Sequence, residues 1–122
     1  MTGIRINVTV QYLSDRSRPA DKQFAFAYTI KITNEGQSPC QLLRRHWIIT
    51  DGNQQVQEVR GEGVVGQTPW IAAGDSFTYT SGAVLETPVG TMEGSYTFLQ
   101  EGGNTFQGLI PRFSLVKPGV LH

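Results

Sequence analysis

The sequence predicts an all-β fold, an antiparallel β-sandwich of the immunoglobulin-like or fibronectin type III-like kind with seven to eight strands. Three observations point there. Apolar and polar residues alternate strictly over two long segments, the period of a strand with one face in a core and one in water. Twelve Thr and ten Val stand against six Ala and three Lys, which suits strands better than helices. Turn-forming residues punctuate the chain at short intervals, and no segment carries a helical stripe, an internal repeat or a linker. The 122 residues therefore read as one domain spanning 1–122.

From Ile4 every even position is apolar (Ile4, Ile6, Val8, Val10, Tyr12), while the odd ones are Arg5, Asn7, Thr9 and Gln11. The rule returns at Phe24, Phe26, Tyr28, Ile30 and Ile32, and these segments give the first two strands. The link over 14–22 is too long and charged for a tight hairpin and reads as a mobile surface loop. Residues 34–39 make a second turn. A third strand over 40–50 is apolar on both sides (Leu42, Ile48; Leu43, Trp47, Ile49), which places it centrally. Asp51-Gly52 signals a two-residue hairpin into a short strand at 56–60.

Beyond a glycine loop at 61–66, Thr68-Pro69 and Ala73-Gly74-Asp75 bracket an extended piece at Trp70-Ile71. Phe77 and Tyr79 share a face, and 83–87 reads as a further short strand ended by Pro88. Met92, Gly94, Tyr96 and Phe98 alternate again, with Tyr96 suited to the corner tyrosine of such sandwiches. Gly102-Gly103-Asn104 turns the chain into a last strand, where the apolar phase slips from even (Phe106, Ile110) to odd (Phe113, Leu115). The slip falls at Pro111, which cannot donate to a ladder, so an edge strand or a bulge is expected there.

Ten Lys and Arg balance ten Asp and Glu, and only 16% of residues are charged. That balance argues against a nucleic-acid footprint and against binding to an anionic membrane surface. No apolar run approaches the roughly 18 residues of a membrane span, and no secretion signal is expected. The lone Cys40 excludes an internal disulfide and suits a reducing compartment, so a cytoplasmic protein is expected. Beside Pro39 at a strand start, Cys40 reads as a small core residue.

Two clusters invite chemistry. Gly61-Glu62-Gly63-Val64-Val65-Gly66 matches G-x-G-x-x-G, but Pro69 and the strand pattern beyond it forbid the helix of a dinucleotide-binding unit. The motif is then either a glycine-permitted loop at the sandwich end or an anion-binding nest of backbone amides. At least one of its glycines should sit at positive φ, and of the adjacent Val64 and Val65 only one can pack down easily. Arg44-Arg45-His46-Trp47 is the densest polar run. Strand geometry sets Arg44 with His46 and Arg45 with the core candidate Trp47, unless a bulge lies between the two arginines. Either one Arg is ion-paired and the other covers apolar surface, or the pair recognises a carboxylate or phosphate.

Metal chemistry lacks ligands at suitable spacing, since the histidines are only His46 and His122. Ser81 has no base placed beside it and G-x-S-x-G is absent, so no catalytic residue is named.

Four segments resemble the ApaG family: LLRRHWII at 42–49, VRGEGVVG at 59–66, FTYTSG at 77–82 and PVGTMEGSY at 88–96. The likeness runs from about Ile6 to Leu115, with the motifs in the family's order and at its spacing. The resemblance implies a small bacterial cytosolic protein with a fibronectin type III-like sandwich. It also implies a genomic neighbourhood shared with a diadenosine tetraphosphate hydrolase, and an association with cobalt tolerance and magnesium efflux. The family's domain recurs in eukaryotic F-box proteins and a polymerase delta-interacting protein, where it resembles a protein-interaction module.

The expected function is a non-enzymatic binding module that engages an unidentified protein partner through loops and an exposed sheet edge, with no cofactor. One alternative is a binder of nucleotides or dinucleoside polyphosphates through the glycine loop and Arg44, Arg45 and Arg60. Another, direct binding of divalent cations, follows from the family association and not from ligand spacing. The candidate binding residues are Arg44, Arg45, His46, Arg60, Gly61, Glu62, Gly63, Val64, Val65 and Gly66.

Overall fold

In a computed structural model, which describes residues 3–120, the chain forms eight strands. They are β1 (Ile4–Tyr12), β2 (Phe24–Asn34), β3 (Cys40–Asp51), β4 (Val56–Glu62), β5 (Trp70–Ile71), β6 (Ser76–Leu85), β7 (Val89–Gln100) and β8 (Thr105–Val116). Two antiparallel sheets result, β1-β2-β6 and β4-β3-β7-β8, with β5 on β3 beyond the end of β4. This is a fibronectin type III-like sandwich.

Alternation builds the layers. Phe26, Tyr28, Ile30 and Ile32 of β2 are buried against Leu42, Trp47, Met92, Tyr96, Phe98 and Leu115 of the other sheet. Trp47, 2% exposed, meets Tyr28, Phe113 and Tyr96 edge-on, geometry favoured by the aromatic quadrupoles. Cys40 lies in the same core, and burial raises its thiol pKa. The phase slip in β8 is a bulge on an edge strand. Met92 pairs with Phe113 and Gly94 with Ile110, so β8 spends one extra residue around Pro111.

Several local expectations change. The 14–22 link is shaped by two 3-10 turns, and Ser17 ties it down by donating to Leu13 O and accepting from Ala25 N–H. The 51–52 turn is a three-residue loop: Asp51 N–H donates to Gln55 O, and Gln54 takes the left-handed conformation at φ +63°. The Asp51 carboxylate accepts from the amides of Asn53 and Gln55, which favours this wider turn over the two-residue one. The two short pieces expected at 77–79 and 83–87 are one strand, β6, paired without interruption to β2 from Ser76 to Leu85. Tyr96 sits in the middle of β7 and bonds to Tyr79, so it is not a corner tyrosine.

Candidate functional site

A bulge in β3 decides where the arginines point. Leu42 pairs with Phe98 and Arg44 with Thr97, leaving Leu43 as an extra residue. Side-chain phase inverts across it: Leu42 is inward before the bulge, and Arg45 and Trp47 are inward after it. Leu42, Trp47 and Ile49 thus form one inward face broken by a slip, while Ile48 stands on the outer face with His46. The bulge precedes Arg44 and does not lie between the arginines, so Arg44 and Arg45 face opposite ways.

The ten candidate residues consequently divide. Arg44, His46, Arg60 and Glu62 stand on the outer face of the larger sheet, where Arg44 opposes Glu62 and His46 opposes Arg60. Glu58 joins them, its Oε2 lying 3.3 Å from His46 Nε2 and 3.2 Å from Arg60 Nη2. Arg44 makes no ion pair among the described residues. With Glu93 bound to Arg112 along the same face, arginines (44, 60, 112) and glutamates (58, 62, 93) are equal in number. A depression of about 490 Å³ on this face is lined by Arg44, Arg45, Arg60 and Glu62 with His46, Ser95, Thr97 and Gln107, so within it three arginines meet one glutamate.

Arg45 turns inward at the sandwich rim. Its Nη1 donates to the carbonyls of Glu62 and Gly63, both at 2.9 Å. The guanidinium lies against Gly61, where a Cβ would fall 2.6–2.7 Å from its Nη2, Cζ and Nη1. Gly61 is thus a strand residue needed for close approach, and Glu62 ends the strand, so the loop proper begins at Gly63. Arg45 Nε and Nη2 make no hydrogen bond among the described residues, and neither is fully buried.

The rest of the glycine motif is a tight turn. Val64 and Gln67 exchange both backbone hydrogen bonds, at 2.8 and 2.9 Å, around Val65 at φ +43° and Gly66 at φ +79°. Positive φ at both central residues is the sign of a type I′ turn, which suits Asn-Gly far better than Val-Gly. Gly63, at φ +61°, donates to Leu43 O, and a Cβ there would collide with Gln67 O. Val64 is 1% exposed and Val65 52%, so one valine packs down and the other forms the tip.

Between the layers, a cleft of about 300 Å³ is lined by Tyr28, Arg45, Trp47, Val65, Tyr79 and Ser81, among others. The hydroxyl of Tyr79, on that lining, hydrogen-bonds to the hydroxyl of the fully buried Tyr96. Burial raises the pKa of both well above 10, outweighing the opposing pull of the Arg45 charge. Both phenols stay neutral, so the charged residues on the cleft lining are Arg45 and Glu62, and Arg45 meets Glu62 through its backbone carbonyl. Tyr28, Tyr79 and Ser81 escaped sequence reasoning because they reach Arg45 across the layers; the polar Ser81 at an inward position of β6 was the available signal.

Among the described residues no three of His, Cys, Asp and Glu gather as a metal site, and His122 lies outside them. No helix is long and apolar enough to cross a membrane.

The family model described as the ApaG domain matches residues 14–100. Protein ApaG of Pseudomonas fluorescens strain Pf0-1 is 51% identical over 119 residues, covering 98% of this chain and 94% of that protein. Protein ApaG of Pseudomonas aeruginosa strain PAO1 is 54% identical with the same coverage. A crystal structure of the ApaA protein of Bordetella pertussis superimposes with a TM-score of 0.92 at 50% identity, covering 96% of this chain and 95% of that one.

Proposed function

The chain belongs to the ApaG domain family, and we propose that it is a non-enzymatic module that binds another protein in the cytoplasm. The observation that carries this reading is Val65. A β-branched residue at positive φ costs on the order of 1–3 kcal/mol, and Asn or Gly would avoid the cost. Here it is held on the tip of a turn with half its surface in water. Strain retained at an exposed apolar tip supports contact with a partner that covers it.

The phosphate-binding alternative draws less support. The Gly63, Val64 and Gln67 amides are engaged by backbone carbonyls, and the arginines outside the cleft share their face with glutamates. Any part in cobalt or magnesium handling is then indirect, exerted through the protein partner.

Affinity purification from the source cell, comparing the natural chain with Val65→Asp, tests the reading. A protein retained by the natural chain and lost with the variant is the expected result. Recovery of nucleotides or metal ions alone, with no protein at any salt, would overturn it.

A further inference from the structure

We propose that β6 is the docking edge of this module: it takes up an extended peptide segment of the partner as an added strand, with an acidic residue of that segment on Arg45. The inference rests on the protein-binding reading above and names its mode, its edge and the chemistry of the segment.

An unpaired strand edge templates further pairing, and folded proteins guard such edges with charge, proline, bulges or cover. Three of the four edges here are guarded. β4 carries Glu58, Arg60 and Glu62, and β5, which continues that edge, is only two residues long after Pro69; β8 carries Pro111, Arg112 and a bulge; β1 carries Arg5 and lies against β8. The fourth is β6, whose ten residues include no charge and no proline. It pairs with β2 without a bulge, and among the described residues its backbone makes no hydrogen bond elsewhere. Its Val84 is 64% exposed. Immunoglobulin constant-type sandwiches carry a fourth strand at the end of the corresponding sheet, so the architecture accommodates one there.

The seam beside β6 specifies the occupant. Inward positions Tyr79 and Ser81 border the Arg45 cleft. Four residues past Ser81, Leu85 borders a smaller cavity of about 170 Å³ with Ile49, Val84 and Val56, the last 63% exposed, and with the acidic Asp51 and Glu86. Side chains four apart on a strand point the same way. An added strand therefore projects one side chain towards Arg45 and another, four residues away, towards Ile49 and Val56. Arg45 offers unused Nε and Nη2 donors beside the neutral Tyr79, which calls for a carboxylate; at the second position Leu85, Ile49 and Val56 favour an apolar residue, and Asp51 and Glu86 repel a second acid. Main-chain bonds supply affinity in this mode, and the two side chains supply selectivity.

The test uses the full chain and a displayed library of random 12-residue peptides. Enriched peptides should carry Asp or Glu four residues from an apolar residue. Binding of a synthetic representative should protect alternate amides of β6 from hydrogen exchange. Replacing the peptide's acidic residue by its amide should weaken binding at least about tenfold. Arg45→Gln should cost the same with no further loss in combination, and Arg45→Lys less. The peptide change leaves the protein untouched, so misfolding of an Arg45 variant cannot mimic the result. Protection on β4, β8 or the outer face would overturn the β6 assignment while leaving the protein-binding reading intact. Failure to enrich any peptide would overturn it too. So would β6 amides already protected in a concentration-dependent dimer, which would make a second copy the occupant.

Discussion

The Tyr79 and Tyr96 hydroxyls bond to each other across the two layers, Tyr79 from β6 and Tyr96 from β7. Among the described residues each is the other's only hydroxyl partner, so each single replacement strands a buried polar atom. Tyr79→Phe and Tyr96→Phe should each cost about 1–3 kcal/mol, and the double variant clearly less than their sum. A double-mutant cycle by urea denaturation measures the coupling; additive losses would contradict it.

The same pair predicts an alkaline limit. Burial raises both pKa values above the ordinary 10 of the unfolded chain. The stability linked to them is fully present below about pH 10 and falls as pH rises further, because the unfolded chain then loses protons that the folded one keeps. The slope should reach about 1.4 kcal/mol per pH unit for each tyrosine still neutral in the fold. Buried Cys40 acts in the same direction from about pH 9. Denaturation between pH 8 and 11 reads this directly, and Tyr96→Phe should flatten the decline.

Glycines of the motif should differ in their tolerance. Gly63→Ala meets both positive φ and the Gln67 carbonyl, and should lose at least about 1–3 kcal/mol. Gly61→Ala meets the movable guanidinium of Arg45 as its nearest neighbour, so the fold should survive with a smaller loss in melting temperature. Its Arg45 would leave the Glu62 and Gly63 carbonyls and with them the position required for peptide binding.

Val65→Asn relieves the turn without touching the core. Stability should rise by about 1 kcal/mol in thermal or chemical denaturation while partner binding weakens. An unchanged or lower stability would show that the backbone at Val65 is not strained.

Nucleotide should leave stability alone. A micromolar site would add roughly 4 kcal/mol at a thousandfold ligand excess. About a millimolar ATP or diadenosine tetraphosphate is therefore expected to leave the melting temperature almost unchanged. A clear rise abolished by Gly63→Ala would favour the phosphate-binding alternative.

Strands with unbroken alternation, β1 and β2, were legible in the sequence because period two is a local property of the chain. So was the β8 bulge, since Pro111 marks it. The β3 bulge was hidden: Leu43 offers no Gly or Pro, and an extra apolar residue imitates a strand buried on both faces. The split of the arginines did not depend on it, because Arg45 shares the face of Trp47 by strand alternation alone; the bulge decides that Leu42 lies on that same inward face. The positive φ of Gly63 and Gly66 followed from residue type. The positive φ of Val65 did not, because its β-branched side chain opposes the conformation that the Val64–Gln67 pairing imposes.

Photo-crosslinking in the source cell tests the central claim most directly, with benzoylphenylalanine placed singly at Val65, Val84 and Leu109. The first two flank the proposed docking seam, whereas Leu109, 76% exposed, lies on the outer face of the larger sheet. The account predicts that the same protein crosslinks at 65 and 84 and is absent at 109. Crosslinks confined to 109, or no protein at 65 and 84, would contradict it.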